Sequence, residues 1–597
     1  MTLTASEDLQ HPQPTAERAP RRHALLAWLG TLLLMASVAH GSFETTDSGF
    51  TMHAARSIWL RGDSALRTEP EGGQLLGEQL GAAFIKHWQA QGARSNGKVG
   101  QNGLAYVWFP MGHVFLMVPF VALGEQLRPL LPDADQRLRA ASGSFAQTAV
   151  HGEPAVTQGL ISLLVPGLCF ATSILLLFWL ARVLGASGRD ATCSALAIGF
   201  ASQAFAVGRE QLSDGPGLML LLLALLPTVR LYLANRGGAT GVLAAGLAGT
   251  STGMSAGDAR LAFSAGTWSG LAVLMRYQTA FAVIAFAAIV VVASRRRRSY
   301  RPIGLFVLGG APWLLLFLAT NYLRFGNPLD TGYPEIGDWF QSSPVAGMGK
   351  LLFAAGRGIL WLSPLLWLGL PAAARRIELR WLAWLLLLTP LLIFMTANGW
   401  QGGQAWAIRY VTPGVVALLA IALPQSTPWR RWPKLWLALV AAGAAVSLTS
   451  VVAPVRGQIQ LMDQALRADE AHAIAAGEKR PEARALDTAD VGGWQPRYSP
   501  LYRNWLYAWH SLGDFEDEQG RPLHDGKHGT ELVYGTAPAD PSQMFAPRHW
   551  TDRSFRHLWW RFWGDLYGVS GLLLVAPVLL LGMLLSWFGW RGLAKRI

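Results

Sequence analysis

Cysteine is almost missing: 597 residues contain two, Cys169 and Cys193, both inside apolar runs. That pattern excludes a disulfide framework and a cysteine-based metal site. Charge is scarce as well, at 15% Asp, Glu, Lys and Arg against 51% hydrophobic residues. Neither a Walker A sequence nor a Rossmann fingerprint occurs, so a site for a soluble nucleotide-linked donor on the cytoplasmic side has no support. Patches of the kind that bind nucleic acid are lacking, and no internal repeat is visible.

What is present is apolar sequence in runs of about twenty residues rather than amphipathic stripes, the mark of an integral membrane protein built of helices. The 26 tryptophans fit interfacial anchoring, because indole rings prefer the headgroup level. The formal charge of +13, from 50 basic and 37 acidic residues, sits largely in short clusters at helix ends. There it reads as topology and contact with anionic membrane lipids. Arg18, Arg21 and Arg22 precede an apolar run from Ala24 to Ala39, which is long for a signal peptide and lacks a good cleavage site. Residues 1–23 therefore read as a disordered cytosolic tail before a retained first helix.

Short cytoplasmic loops accumulate Lys and Arg, and the densest cluster is RRRRSYR at 295–301. Anchoring that loop inside predicts about twelve spans, near 24–42, 158–181, 191–208, 215–234, 260–275, 277–294, 303–321, 357–373, 381–397, 410–424, 434–453 and 566–588. Every basic cluster that closes a returning helix then falls on one side, with both termini cytoplasmic. One run disturbs the count, LAYVWFPMGHVFLMVPFVALG at 104–124. Spanning would put the basic clusters on opposite faces, and Pro110 and Pro119 argue for a broken or interfacial helix pair. The expected organisation is an all-α polytopic transmembrane domain over 24–453 with a long first outer loop at 43–157. An outer insertion at 454–565 follows, then a last helix and cytosolic end at 566–597.

With orientation set, polar residues near membrane boundaries collect on the outer face. Glu44 and Asp47 follow helix one in FETTDSGF; Arg209, Glu210 and Asp214 lie in GREQLSDGP; Arg276 stands in LMRYQT; Arg324, Asp330 and Tyr333 lie in NYLRFGNPLDTGYPE; Trp400, Gln404 and Arg409 lie in NGWQGGQAWAIRY. Acids and arginines converging on one boundary are functional candidates. Arginines can fork onto a phosphate or diphosphate and stay charged when partly buried. Carboxylates beside them can deprotonate a hydroxyl or hold a divalent cation, so a divalent cation is a possible cofactor. The set suits transfer of a group from a lipid phosphate to a hydroxyl, the arginines meeting the charge that develops on the leaving phosphate.

The chain resembles the polytopic GT-C glycosyltransferases, in particular the bacterial membrane families related to protein mannosyltransferases and the lipid A aminoarabinose transferase. The resemblance runs from about residue 25 to 425 and rests on TTDSGF, SDGP, GLAVLMRYQTAF, and NYLRFGNPLDTGY with IRYVTP. It implies a first outer loop with a catalytic acid and two short interfacial helices, which would account for 104–124. By position, Asp47 matches the general base, with Glu44 beside it. Asp214, with Glu210 nearby, matches the second acid that helps bind acceptor or metal. Arg276 matches the basic residue that meets the lipid phosphate, with Arg409 as a second contact and Tyr333 in the same outer set. Met275 stands where threonine often precedes the basic residue, and YVWFPMGH replaces the usual aromatic and proline-rich pattern of the first loop.

Each residue also has a plainer reading. Asp47 could be a solvated rim acid, Glu44 could cap the helix or pair with Arg56, Arg276 could snorkel, and Asp214 could cap its helix with Pro216 in the first turn. His53 and His113 read as interfacial polar residues. His524, Asp525 and His528 in LHDGKHGT invite a metal reading, but their spacing forces no third ligand. Trp494, Tyr498, Tyr502, Trp505 and Trp509 in the insertion would suit sugar stacking or a small core. The expectation is an inverting transferase in the inner (plasma) membrane. It would move sugar from a polyprenyl-phosphate donor to a glycan, lipid or protein acceptor on the periplasmic side. The alternative is a polytopic transporter or lipid flippase, which should carry repeat symmetry and charges near helix midplanes.

Overall fold

The computed structural model describes residues 18–43, 45–66, 97–140, 154–234, 255–333, 339–375, 377–397, 402, 405–452, 501 and 557–596. Glu44 and, apart from Leu501, the stretch 453–556 lie outside the described residues, and with them the His524, Asp525 and His528 group and the insertion aromatics.

Helix α1 (Arg18–Ser37) begins at Arg18 rather than near residue 24, its arginines extending the helix beyond the apolar run, and it ends short of the expected exit. A second helix, α2 (Thr46–Arg61), follows at once. Thr45 is its N-cap and accepts from Ser48 N at 3.4 Å, satisfying a first-turn amide that has no partner within the helix. Gly62 ends it at φ 77°, a conformation glycine adopts without a Cβ clash. Asp47 thus stands in the first turn of α2, within the segment that follows α1.

The segment expected as the first outer loop also holds strands. Strands β1 (Ala65–Leu66), β2 (Gly97–Val99) and β3 (Ala105–Val107) form a small antiparallel sheet in the order β1-β3-β2, with Ala65 and Lys98 both opposite Tyr106. The expected pair of broken helices is one helix, α3 (Met111–Leu127). Pro110 takes the N-cap, where a missing N–H leaves nothing unsatisfied, and Pro119 is carried inside the helix. Helix α3 packs on α2.

The remaining elements among the described residues are helices: α4 (Ala134–Ala140), α5 (Ala155–Val183), α6 (Gly188–Phe200), α7 (Gln203–Arg209), α8 (Asp214–Ala234), α9 (Ala256–Met275), α10 (Ala280–Arg296) and α11 (Arg301–Phe325). Then come α12 (Pro344–Phe353), α13 (Ile359–Leu362), α14 (Leu366–Ala374), α15 (Arg380–Phe394), α16 (Thr412–Ser426), α17 (Pro428–Arg431), α18 (Pro433–Val452), α19 (Trp559–Tyr567) and α20 (Gly571–Arg596). Each expected apolar segment holds a helix or a helix pair. Among the described residues, however, six helices are long and apolar enough to cross a membrane, or seven if α6 and α7, bent by 64°, count as one span. Part of the difference from about twelve has a physical cause. Helices α15 and α16 have 15 residues each, about 22 Å of rise against a hydrocarbon core of about 30 Å. The segment near 357–373 is interrupted at Ser363 and Pro364 between α13 and α14.

Helix α1 lies along α20 and α5, α8 packs between α5 and α9, and α9 continues the row to α11. In lipid, helices associate through close packing rather than through the hydrophobic effect, and small residues permit it. A Cβ on Gly266 of α9 would overlap the Phe306 carbonyl, and one on Gly309 of α11 the Phe263 carbonyl. On its other side α11 exposes Val307, Leu308, Leu314, Leu315 and Leu323, a face that suits lipid.

The exit of α1 is held by α19. Trp559 Nε1 donates to the Ala36 carbonyl at 2.6 Å, Trp560 Nε1 to Ser37 at 3.0 Å and Trp563 Nε1 to Gly41 at 3.1 Å. These indoles satisfy carbonyls at and beyond a helix end, where no intrahelical donor remains. They also fix the short link that leads to Asp47.

Candidate functional site

Four charged side chains from four elements meet. Asp214 is the first residue of α8, and Asp47 lies in the first turn of α2. Arg276 leaves α9 at its C-cap with φ −157° and ψ 113°, an extended backbone that turns its side chain away from the helix. Arg409 comes from the 405–411 segment that leads into α16. Arg276 Nη1 pairs with Asp214 Oδ1, their side chains 4% and 2% exposed. Arg409 Nη1 lies 3.6 Å from Asp47 Oδ2 and 3.9 Å from Asp214 Oδ2.

Local sequence explains the convergence. Gly217 leaves room for Arg276 against α8: a Cβ there would stand 3.3 Å from Arg276 Cδ. Ser48 Oγ donates to the Gln211 carbonyl at 3.0 Å, tying the first turn of α2 to the segment that ends at Asp214. The Tyr410 ring lies 5.8 Å from Arg276 Cζ and 5.5 Å from Arg409 Cζ, and is itself stacked on Phe394 with centroids 4.5 Å apart. An aromatic face stabilises both cations.

Burial raises the Asp47 pKa above the ordinary carboxylate value; Arg409 pulls the other way, and Asp214 adds to the rise. For Arg409, burial disfavours the charge, but Tyr410, Asp214 and Asp47 outweigh it and hold the guanidinium charged. Its two carboxylate contacts are longer than hydrogen bonds, and its Nε has no hydrogen-bond partner among the described residues. Arg409 is therefore ion-paired yet still has N–H groups to offer.

Tyr333 joins this group. Its ring stacks on Trp108 at 5.4 Å with planes 8° apart, and burial pushes its phenol pKa up, with Tyr277 and Tyr410 adding to the effect. Glu210 is placed differently: its Oε1 accepts the Trp406 N–H at 2.6 Å, so it anchors the segment that carries Arg409. Other outer-face residues from the sequence reading tie structure together. Arg209 donates Nε to the Val38 carbonyl at 2.6 Å, and Arg324 donates Nη1 to the Val107 carbonyl at 2.7 Å. Asp330 pairs with Lys98 at 2.6 Å. Arg56, a possible partner for Glu44, pairs with Glu125 at 2.6 Å.

Two residues of the site had not been singled out for it. Tyr410 adjoins Arg409 in IRYVTP, and its signal was an aromatic next to a rim arginine. His113 is 3% exposed at the start of α3, in the electrostatic reach of Asp214 and Arg276. Its only sequence signal was a lone histidine inside the apolar run at 104–124. Among the described residues no three His, Cys, Asp or Glu side chains stand close enough together to hold a metal ion. Between Asp47 and Asp214 the Arg409 guanidinium bridges the acids.

Beside the charged group opens a cleft lined by Arg276, Gln278, Thr279 and Tyr410 on its polar side and by Leu221 and Leu386 on its apolar side. Such a surface can receive a molecule with an anionic group and a hydrocarbon chain.

No family model and no curated protein matches the chain. Solved structures similar to it include ArnT from Cupriavidus metallidurans bound to undecaprenyl phosphate, with 13% identity, 88% of each chain covered and a TM-score of 0.43. The apo state of the same ArnT gives 14% identity over 81% of this chain and 75% of that one, at 0.43. The archaeal oligosaccharyltransferase AglB from Archaeoglobus fulgidus, in complex with an inhibitory peptide and a dolichol-phosphate, gives 11% identity over 81% and 63%, at 0.37. Likeness at this distance leaves the activity to be argued from the chain's own residues.

Proposed function

We propose that the chain is an inverting membrane glycosyltransferase of the GT-C type, moving a sugar from a polyprenyl-phosphate donor to an acceptor hydroxyl on the extracytoplasmic face. The observation that carries this reading is the Arg409 guanidinium held between Asp47 and Asp214, next to a cleft that is cationic at one end and apolar along its side. The donor's phosphate would sit against Arg276 and Arg409, with its first isoprene units along Leu221 and Leu386. Asp47 takes the proton of the acceptor hydroxyl. The hydroxyl oxygen attacks the anomeric carbon as the bond to the phosphate oxygen breaks, and the electron pair leaves with the polyprenyl phosphate. The arginines meet the charge that develops there.

Two features support the assignment of the base. Burial shifts Asp47 towards a proton affinity more useful near neutral pH. The side chain nevertheless remains 26% exposed, so an acceptor can approach it. Asp214 is 2% exposed and ion-paired, out of reach of an acceptor and a fixture for Arg276. The orientation that puts this site outside, with both termini in the cytoplasm, rests on the clustering of basic residues. A transporter would place its charges near helix midplanes; these four stand at helix ends or in the segments between helices.

The test is transfer from a radiolabelled polyprenyl-phosphate sugar pool in membranes containing the wild type or Asp47→Asn. Loss of a general base lowers the rate by about 10²- to 10⁴-fold. Equal transfer by both proteins would remove Asp47 from the chemistry. A wild type that transfers from no sugar in the pool, yet moves the lipid between leaflets, would replace the transferase reading with a flippase.

A further inference from the structure

The hairpin between α9 and α10 brings three polar residues to the wall of one cleft: Arg276 at the end of α9, then Gln278 and Thr279 in the 3-10 turn Tyr277–Thr279. The turn is pinned. The Arg276 N–H donates to the Ala272 carbonyl at 2.9 Å, and the Arg276 carbonyl accepts from the Thr279 N–H at 3.0 Å and from its Oγ1 at 2.8 Å. Two of the three side chains are thereby engaged, Thr279 with the backbone and Arg276 with Asp214. Gln278 is not: it is half-buried on the cleft wall, and its amide has no hydrogen-bond partner among the described residues.

The rest of that wall explains what the amide could meet. Leu221, Phe281 and Leu386 offer it neither donor nor acceptor, and a polar group held against apolar surface costs free energy unless a ligand or water pairs with it. Arg276 is the one charged residue that lines the cleft, and no carboxylate does. An anionic headgroup seated there against Arg276 keeps oxygen lone pairs to spare, because that guanidinium is shared with Asp214. The open volume is about 380 Å³, at the small end for a ligand site. A group that enters against Arg276 therefore also meets the neighbouring residues of the same turn.

We propose that Gln278 is a further contact of the donor's phosphate, its side-chain NH2 donating to a non-bridging oxygen of the lipid-linked phosphate that Arg276 holds. This rests on the polyprenyl-phosphate reading of the same site. A phosphate oxygen only accepts, and the amide supplies two N–H donors on a pinned turn without adding charge beside the ion pairs.

Binding of undecaprenyl phosphate to the full chain in nanodiscs tests this, for the wild type, Gln278→Leu, Gln278→Glu and Gln278→Lys, together with thermal unfolding of each without the lipid. Leucine, similar in size and without a donor, should weaken binding about 10-fold or more, as expected for a lost hydrogen bond to a charged group. Glutamate keeps the shape but puts an anionic acceptor where the donor was, so it should weaken binding further than leucine. Lysine offers only donors and should bind within about threefold of the wild type or more tightly. Lipid-free melting should change little in all three, because Gln278 holds no hydrogen bond within the fold. Unchanged binding by the leucine variant, or wild-type binding by the glutamate one, would overturn the proposal. If leucine does not insert, glutamate against lysine decides, and equal binding by the two overturns it. A wild type that binds no undecaprenyl phosphate overturns the donor reading and this contact with it, whereas a wild type that binds while every variant matches it overturns the contact alone.

Discussion

The Asp214–Arg276 pair is the most deeply buried charge in the site, with side chains 2% and 4% exposed. Removing one partner of such a pair leaves a charge in a low-dielectric interior, a loss of about 3–5 kcal/mol, whereas replacing both with apolar groups is often neutral. The surroundings set the order of the two single variants. After Arg276→Met, Asp214 still has Arg409 at 3.9 Å. After Asp214→Val, Arg276 is left with the Tyr410 ring at 5.8 Å, which contributes about 0.5–1 kcal/mol. Asp214→Val should therefore be the more damaging. The double variant should be more stable than either single one, with a coupling of about 3 kcal/mol or more. Equilibrium unfolding in mixed micelles, followed by tryptophan fluorescence, measures the cycle. Transfer activity should be lost in all three variants, including the stable double one. Additive losses, or single losses below about 1 kcal/mol, would mean that the pair is solvated and that its geometry does not organise the site.

Two further outcomes are expected. The folded-state pKa of Asp47 lies above the ordinary value, so its stabilising contribution is complete below the unfolded value of about 3.9 and is lost as pH rises through the folded one. Asn does not titrate. Asp47→Asn should therefore gain on the wild type by up to about 1.4 kcal/mol per pH unit across that window and then level off, as unfolding over a pH series would measure. A gap of opposite sign would show that Arg409, not burial, governs this carboxyl. Glu210→Ala should lower transfer by releasing the Trp406 N–H, a bond to a charged acceptor of about 1.5–3 kcal/mol. Glu210→Gln, which keeps an acceptor oxygen, should restore most of the rate. If glutamine raises KM as much as alanine does, Glu210 binds substrate as an anion instead.

Much of the architecture was legible because bilayers impose one-dimensional rules. Apolar run length marks helices, and basic clusters mark one face. The same rules did not register that α15 and α16 have only 15 residues each or that Ser363 and Pro364 interrupt a helix, so among the described residues fewer helices are long and apolar enough to cross than the run count suggested. They also missed the three-stranded sheet, whose β1–β3 pairing joins strands about forty residues apart, a contact that no local window contains.

For the site, the sequence determined the inventory: Asp47, Asp214, Arg276 and Arg409 are charges at boundaries where charge is costly, and cost marks them wherever the chain goes. Tertiary structure decided which of the many rim residues meet. Arg209 and Arg324 looked equivalent to Arg276 as letters, yet backbone carbonyls occupy their donors, while Arg276 turns out of its helix beside Asp214. Only packing could bring the start of α3 against the end of α9 just before Arg276, because Gly112 lets the two backbones approach. The physical reason is one of range: hydropathy and charge act on each residue with its solvent, whereas a site is made by close contacts between elements far apart in the chain.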